Sequence, residues 1–170
     1  TLNGATARNR LAAVNNTNGT VTAFNPNMNS TIQDLKVEGT TLYAGGSFTS
    51  ANGTGRNYLA SFNTSNGNLN SWNPSANSTV NAIAARNDTV FVGGSFSVVG
   101  GSSRIRLAAV RGGAGTNLLS LNPSPNNTIQ SHYLNANDFL TGGSYSVIDG
   151  KLRGGFAVYS MPPVLAAPPS

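Results

Sequence analysis

Gly45-Gly46-Ser47-Phe48 recurs as Gly93-Gly94-Ser95-Phe96 and again as Gly142-Gly143-Ser144-Tyr145, at intervals of 48 and 49 residues. A short apolar run leads into each copy: Leu42-Tyr43-Ala44, Val90-Phe91-Val92 and Phe139-Leu140-Thr141. A fixed period of this size marks a repeat architecture, in which each unit buries its apolar face against the next. Other landmarks keep the same register. Leu11-Ala12-Ala13-Val14 matches Leu59-Ala60-Ser61-Phe62, Leu107-Ala108-Ala109-Val110 and Phe156-Ala157-Val158-Tyr159. Phe24-Asn25-Pro26 matches Trp72-Asn73-Pro74 and Leu121-Asn122-Pro123, and Arg8, Arg56, Arg104 and Arg153 each stand three residues before an apolar tetrad.

Within a unit the pattern predicts four short strands. The first runs near 32–37, 80–85 and 129–134, and a tight turn leads into the strand carrying Gly-Gly. A Gly- and Ser-rich loop of about ten residues follows, ending at the arginine. The Leu-Ala-Ala-Val strand and an Asn-Gly turn (Asn18-Gly19, Asn66-Gly67) then lead to a fourth strand, which stops at Asn-Pro because proline lacks a donor. Arg111-Gly112-Gly113-Ala114-Gly115 replaces that Asn-Gly turn in the third unit and carries the one extra residue.

Four antiparallel strands in about 48 residues match the dimensions of one β-propeller blade. The paired glycines Gly45, Gly46, Gly93, Gly94, Gly142 and Gly143 are expected on an inner strand, where crowding by adjacent blades leaves no room for a Cβ. Phe24, Trp72 and Leu121 are expected to pack between blades.

The run apolar-Tyr/Phe-x-Gly-Gly-Ser-Phe, then Gly-x-x-Arg-x-x-Leu-Ala, then Trp-Asn-Pro resembles the delta-60-type β-propeller repeats of large secreted or surface-anchored bacterial proteins. It is also similar to kelch units, whose second strand ends in Gly-Gly. The resemblance covers residues 1 to about 160 and implies an all-β propeller-type array and an extracellular or cell-surface setting; it carries no activity. The units are 1–48, 49–96, 97–145 and a partial 146–160. In kelch phasing, residues 1–25 supply two strands of one blade, 31–73 and 79–122 are whole blades, and 128–159 gives three strands of another. Closed propellers need four to eight blades, so the array has open edges that invite either the remaining blades of a longer chain or neighbouring copies, as a ring or a filament. Three units also suit a β-trefoil, which remains the alternative fold. Residues 161–170, with four prolines, read as an extended linker or arm, or as a frayed end.

Charged residues make up 9% of the chain, and polarity rests on Asn, Ser, Thr and Gly, which suit turns rather than helices. The net charge of +5 reflects scarce acids as much as abundant bases, and no dense Lys/Arg cluster occurs, so nucleic acid is not an expected partner. With no cysteine there is no disulfide framework or thiolate metal site, and no run of 18 apolar residues is present to span a membrane.

No residue set announces catalysis, and neither cofactor nor metal is expected. His132 is the sole histidine and takes the repeat position of Leu35 and Ile83, which predicts a half-buried structural residue. Ser47, Ser95 and Ser144 lack the trailing glycine of a nucleophile elbow. Asp34, Glu38, Asp88, Asp138 and Asp149 share no repeat position, and Gly100-Gly101 and Gly112-Gly113 match no phosphate loop. The repeated arginine is expected to tie the loop after Gly-Gly to carbonyls; lining a face for anionic glycans is the functional alternative. Asn-x-Ser/Thr occurs at Asn15, Asn18, Asn29, Asn52, Asn63, Asn77, Asn87 and Asn126, a slight excess over what the composition yields by chance. These readings point to a non-enzymatic scaffold, adhesion or assembly module. The alternative is a lectin-like module using Trp72, Tyr58 and Arg56 or their equivalents.

Overall fold

A computed structural model describes residues 7–113 and 117–161; the proline-rich tail expected over 161–170 falls outside this range but for Met161. The fold is all-β. In chain order the strands are β1 (Ile32–Glu38), β2 (Thr41–Gly46), β3 (Ser50–Ala51), β4 (Thr54–Gly55), β5 (Leu59–Asn63), β6 (Val80–Arg86), β7 (Thr89–Gly94), β8 (Val98–Val99), β9 (Ser102–Ser103), β10 (Leu107–Arg111), β11 (Ile129–Leu134), β12 (Asp138–Gly143), β13 (Val147–Ile148), β14 (Lys151–Leu152) and β15 (Phe156–Ser160).

They form three antiparallel sheets, β1-β2-β5, β6-β7-β10 and β11-β12-β15, which are successive blades of one array. The blades adjoin through their first strands, β1 against β6 and β6 against β11. A trefoil would seal one barrel from all three repeats, whereas these sheets are separate ladders. Residues 7–24 add the outer part of a preceding blade, a hairpin closed by the Val14–Val21 bridge.

Two local features differ from the expected unit. The fourth strand shrinks to a single bridged pair, Phe62–Leu69 in the first blade and Val110–Leu118 in the second. Its residues explain this, since Asn68, Asn70 and Asn73 are poor strand formers and Pro74 stops the ladder. The supposed loop after Gly-Gly is instead a small hairpin in every blade (β3–β4, β8–β9, β13–β14). Its two-residue tips, Asn52-Gly53, Gly100-Gly101 and Asp149-Gly150, all have positive φ, as a type I′ turn requires. Gly100-Gly101 is therefore turn chemistry and not a phosphate cradle.

The glycine pair ends a strand where a Cβ meets close neighbours. It closes the second strand of the blade, paired on both sides, and the strand closest to the neighbouring blades is the first. Its two members do different jobs. A Cβ on Gly45 would stand 2.7 Å from Val80 Cγ1 and 3.0 Å from Ile83 Cδ1, both on the next blade. On Gly46, Gly94 or Gly143 it would run into the carbonyl oxygen of Thr31, Thr79 or Thr128 of the same blade. That close approach follows from the hydrogen bonds that Ser47, Ser95 and Ser144 N–H donate to those carbonyls, at 2.8, 3.0 and 3.0 Å.

Three apolar cores fill the spaces between successive elements. Met28, Ala44, Phe48, Ala60 and Phe62 face the hairpin. Tyr43, Trp72, Val80, Ile83, Val92 and Phe96 lie between the first and second blades. Phe91, Leu107, Ile129, Phe139, Tyr145 and Ile148 lie between the second and third.

Candidate functional site: the blade joints and the two end faces

A joint between blades is built by the same positions each time. In the first joint Val80 and Ile83 press on Gly45, Ser47 Oγ lies 3.3 Å from Thr79 Oγ1, and the Asp34 carboxylate accepts the Ile83 N–H at 2.7 Å. Trp72 is 1% exposed; its indole N–H donates to the Arg111 carbonyl at 2.7 Å, and its ring meets Tyr43 edge-on at 5.0 Å. Tyr43 Oη in turn donates to the Gly112 carbonyl, and burial, with the Asp88 charge next in weight, raises its pKa. The second joint repeats the frame: Ile129 and His132 press on Gly93, Ser95 Oγ lies 3.4 Å from Thr128 Oγ1, and Arg86 donates to the Asn135 and Ala136 carbonyls at 2.7 Å.

His132 is half-buried, as its repeat position predicts, with both imidazole nitrogens enclosed. Neither ring nitrogen has a hydrogen-bond partner, Phe139 lies 4.9 Å away, and the hydroxyl of its register partner Thr141 is also buried and unpaired. Burial lowers its pKa from 6.5 to about 3, against a smaller opposing pull from the Ser131 backbone.

The repeated arginine clasps the reduced fourth strand. Arg8 donates from Nη2 to the Thr22 carbonyl, Arg56 to Asn70 and Arg104 to Leu119, at 2.8, 2.9 and 3.3 Å. These three carbonyls are one repeat position, so the guanidinium supplies the bonding that the missing ladder does not. Arg153 donates to the Leu152 carbonyl. Of the residues considered for sugar binding, Trp72 offers no accessible face. Tyr58 and Asn57 edge a shallow hollow of about 410 Å³ with Ser75, Ala76 and Val98.

A second repeated device went unread in the sequence. Asn29, Asn77 and Asn126 share one position, and each carboxamide oxygen accepts two consecutive backbone N–H groups of its blade's small hairpin (Thr49/Ser50, Ser97/Val98, Ser146/Val147) at 2.9–3.0 Å. Each amide nitrogen donates to the hydroxyl of Thr49, Ser97 or Ser146. The signal was available, since these are three of the eight Asn-x-Ser/Thr sites and the only three separated by the repeat period while ending in Ser-Thr or Asn-Thr. Asn15 and Asn63 each cap a turn, accepting from the backbone two and three residues on. Asn18 accepts the Thr20 N–H, while Asn52 and Asn87 occupy positive-φ turn positions.

The joints stop at two end faces, and six of the seven exposed large hydrophobic residues among the described residues lie there. Val14 faces outward from the hairpin, and Leu35 and Val37 project from β1 below it; at the other end Tyr133, Phe156 and Val158 flank Gly142. Leu35 is the counterpart of Ile83, buried in the first joint, and of His132, half-buried in the second. Phe156 and Val158 are the counterparts of Leu107 and Ala109, also buried. Each end thus shows one half of a joint. Among the described residues no group of three His, Asp or Glu side chains could hold a metal, and no helix is long and apolar enough to cross a membrane.

No family model matches the chain, and no curated protein does. Among solved structures it is similar to the crystal structure of the computationally designed Ika4 protein, with a TM-score of 0.53 and 13% identity over 78% of this chain and 68% of that one. A likeness at that identity concerns fold alone.

Proposed function

We propose that this chain is a non-enzymatic scaffold or assembly module of an extracellular or cell-surface protein, its end faces completed by further blades or by neighbouring copies. One observation carries the reading: apolar residues that are buried at every internal joint stand open at both ends of the array. Exposed apolar patches on otherwise polar surfaces mark interaction sites, and here the polar remainder is uncharged Asn, Ser and Thr. The enclosed His132 and the scattered acids favour a structural over a catalytic role. Sedimentation velocity across a hundredfold range of concentration tests the reading. Association that weakens in Leu35→Asn and in Tyr133→Asn is the expected result. A chain that stays monomeric, and gains no partner when extended by a further blade, overturns it.

A further inference from the structure

Among the described residues no strand lies beside the hairpin of residues 9–24 in the place of a first and second strand. In every blade one residue ahead of the third strand holds a left-handed conformation: Tyr58 (φ 66°), Arg106 (φ 62°) and Gly155 (φ 79°). Its carbonyl accepts the N–H of the second glycine, from Gly46, Gly94 and Gly143 at 3.1, 3.0 and 2.9 Å. Arg10 is the same position and has the same conformation (φ 66°), yet no glycine N–H reaches its carbonyl among the described residues. Beside it lies a hollow of about 320 Å³, lined by Arg10, Leu11, Ile32, Gln33, Asp34 and Leu35. It occupies the place that a first and second strand fill in the other blades.

At the far end the opposite imbalance holds. Among the described residues no neighbouring blade lies against Gly142: a Cβ there would meet Ser131 Oγ and the Gly155 carbonyl of its own blade. The third strand of this blade is also unlike the others. Residues facing the next blade from the third strand are Leu59 and Ser61, then Leu107 and Ala109, all buried. In β15 they are Phe156 and Val158, 53% and 50% exposed. The hairpin keeps the joint-forming pattern at these positions, with Leu11 and Ala13.

We infer that two copies of this chain build one composite blade, β11 and β12 of one copy seating beside the hairpin of the other in place of β15. This rests on the assembly reading above and names its partner. The junction follows from internal ones by the repeat. Residues Leu11, Ala12, Ala13 and Val14 take over the pairing that Phe156, Ala157, Val158 and Tyr159 make with Gly142, Thr141, Leu140 and Phe139. Gly142 of the one copy then receives Ile32 and Leu35 of the other, as Gly45 receives Val80 and Ile83. The contact is head-to-tail, so it closes only if the rotation allows. Two copies supply six blades, within the range of closed propellers.

The chain has no cysteine, so engineered pairs report the junction cleanly. Ala12→Cys and Thr141→Cys full-length chains are mixed and oxidised; paired strand positions lie within disulfide reach. The expected product is a mixed covalent dimer, with far less dimer from Ala12→Cys alone. Ala13→Cys mixed with Leu140→Cys is the second pair should Thr141→Cys fail to fold. The double variant Thr141→Cys/Ala157→Cys, closing within one chain, is expected to suppress the mixed product. Copies that associate in the ultracentrifuge but give no mixed dimer with either pair overturn the composite blade and leave the assembly reading standing. Copies that do not associate overturn the composite blade, and the assembly reading falls as well if a chain extended by a further blade also gains no partner.

Discussion

The first and second joints share one backbone frame and differ in what fills it. Between the first two blades the frame holds Val80, Ile83 and the Tyr43–Trp72 pair, with the indole N–H bonded across to Arg111. Between the second and third it holds Ile129, His132 and a Phe91–Phe139 stack with centroids 4.2 Å apart, and Leu121, only partly buried, stands where Trp72 does. In the first joint the Trp72 indole N–H and the Tyr43 hydroxyl are both paired. The second encloses two imidazole nitrogens and a hydroxyl with no partner. A buried polar atom without a partner costs about 1–3 kcal/mol, so the second joint should be the weaker and the first to open.

The comparison breaks most sharply at Trp72. Trp72→Ala should lower unfolding free energy in urea by roughly 3–5 kcal/mol, and Leu121→Ala by clearly less; equal losses would erase the distinction. Next in size is the glycine contrast. Gly93→Ala pushes a methyl onto Ile129 and His132 and should destabilise by about 1–3 kcal/mol. Within a single copy Gly142→Ala meets only a movable serine hydroxyl and a carbonyl 3.8 Å away, and at concentrations too low for association it should stay within about 1 kcal/mol of the parent.

The histidine gives the joints different pH behaviour. Its folded pKa of about 3 lies below the ordinary 6.5, so as pH falls through 6.5 the unfolded chain binds a proton that the folded chain refuses. Its contribution to stability is whole above 6.5 and declines by about 1.4 kcal/mol per pH unit towards pH 3. His132→Leu, which installs the residue found at position 35, should raise stability and flatten this slope in urea titrations at pH 4 and 7. An unchanged slope would place the pH sensitivity elsewhere. The smallest effect tests the clasp: Arg104→Lys loses the forked geometry and should cost about 1 kcal/mol. The exposed Arg111–Asp88 pair at 3.3 Å serves as a baseline, with Asp88→Asn expected within about 1 kcal/mol.

Much of the array was legible because its signals are periodic. The first strands begin at Ile32, Val80 and Ile129 as the apolar pattern predicts, and the tetrads at Leu59, Leu107 and Phe156 are third strands. What escaped was chemistry carried by polar atoms. Asn52-Gly53 and Asp149-Gly150 are strong two-residue turn signals, yet the flanking Ser50, Thr54 and Lys151 supply no apolar alternation, so the hairpins were hidden in a loop. The fourth strand was overread because Leu69 and Leu118 look like strand residues, while the asparagines around them limit pairing to one bridge. His132 was placed correctly on the core face by its repeat position. Its degree of enclosure depends on Gly93 across the joint, which no local window contains. The end faces were expected from the unit count alone, but the vacancy beside Arg10 required backbone angles.

The carboxamides of Asn29, Asn77 and Asn126 bear on how this chain would meet a glycosylating pathway. The nitrogen to which a sugar would be joined is already donating to a hydroxyl, and the oxygen beside it holds two amides of the peptide chain. Attachment at those three sites would have to come before the blade closes, or else unpick it. A scan for acceptor tripeptides therefore counts as potential decoration what the folded molecule uses as joinery.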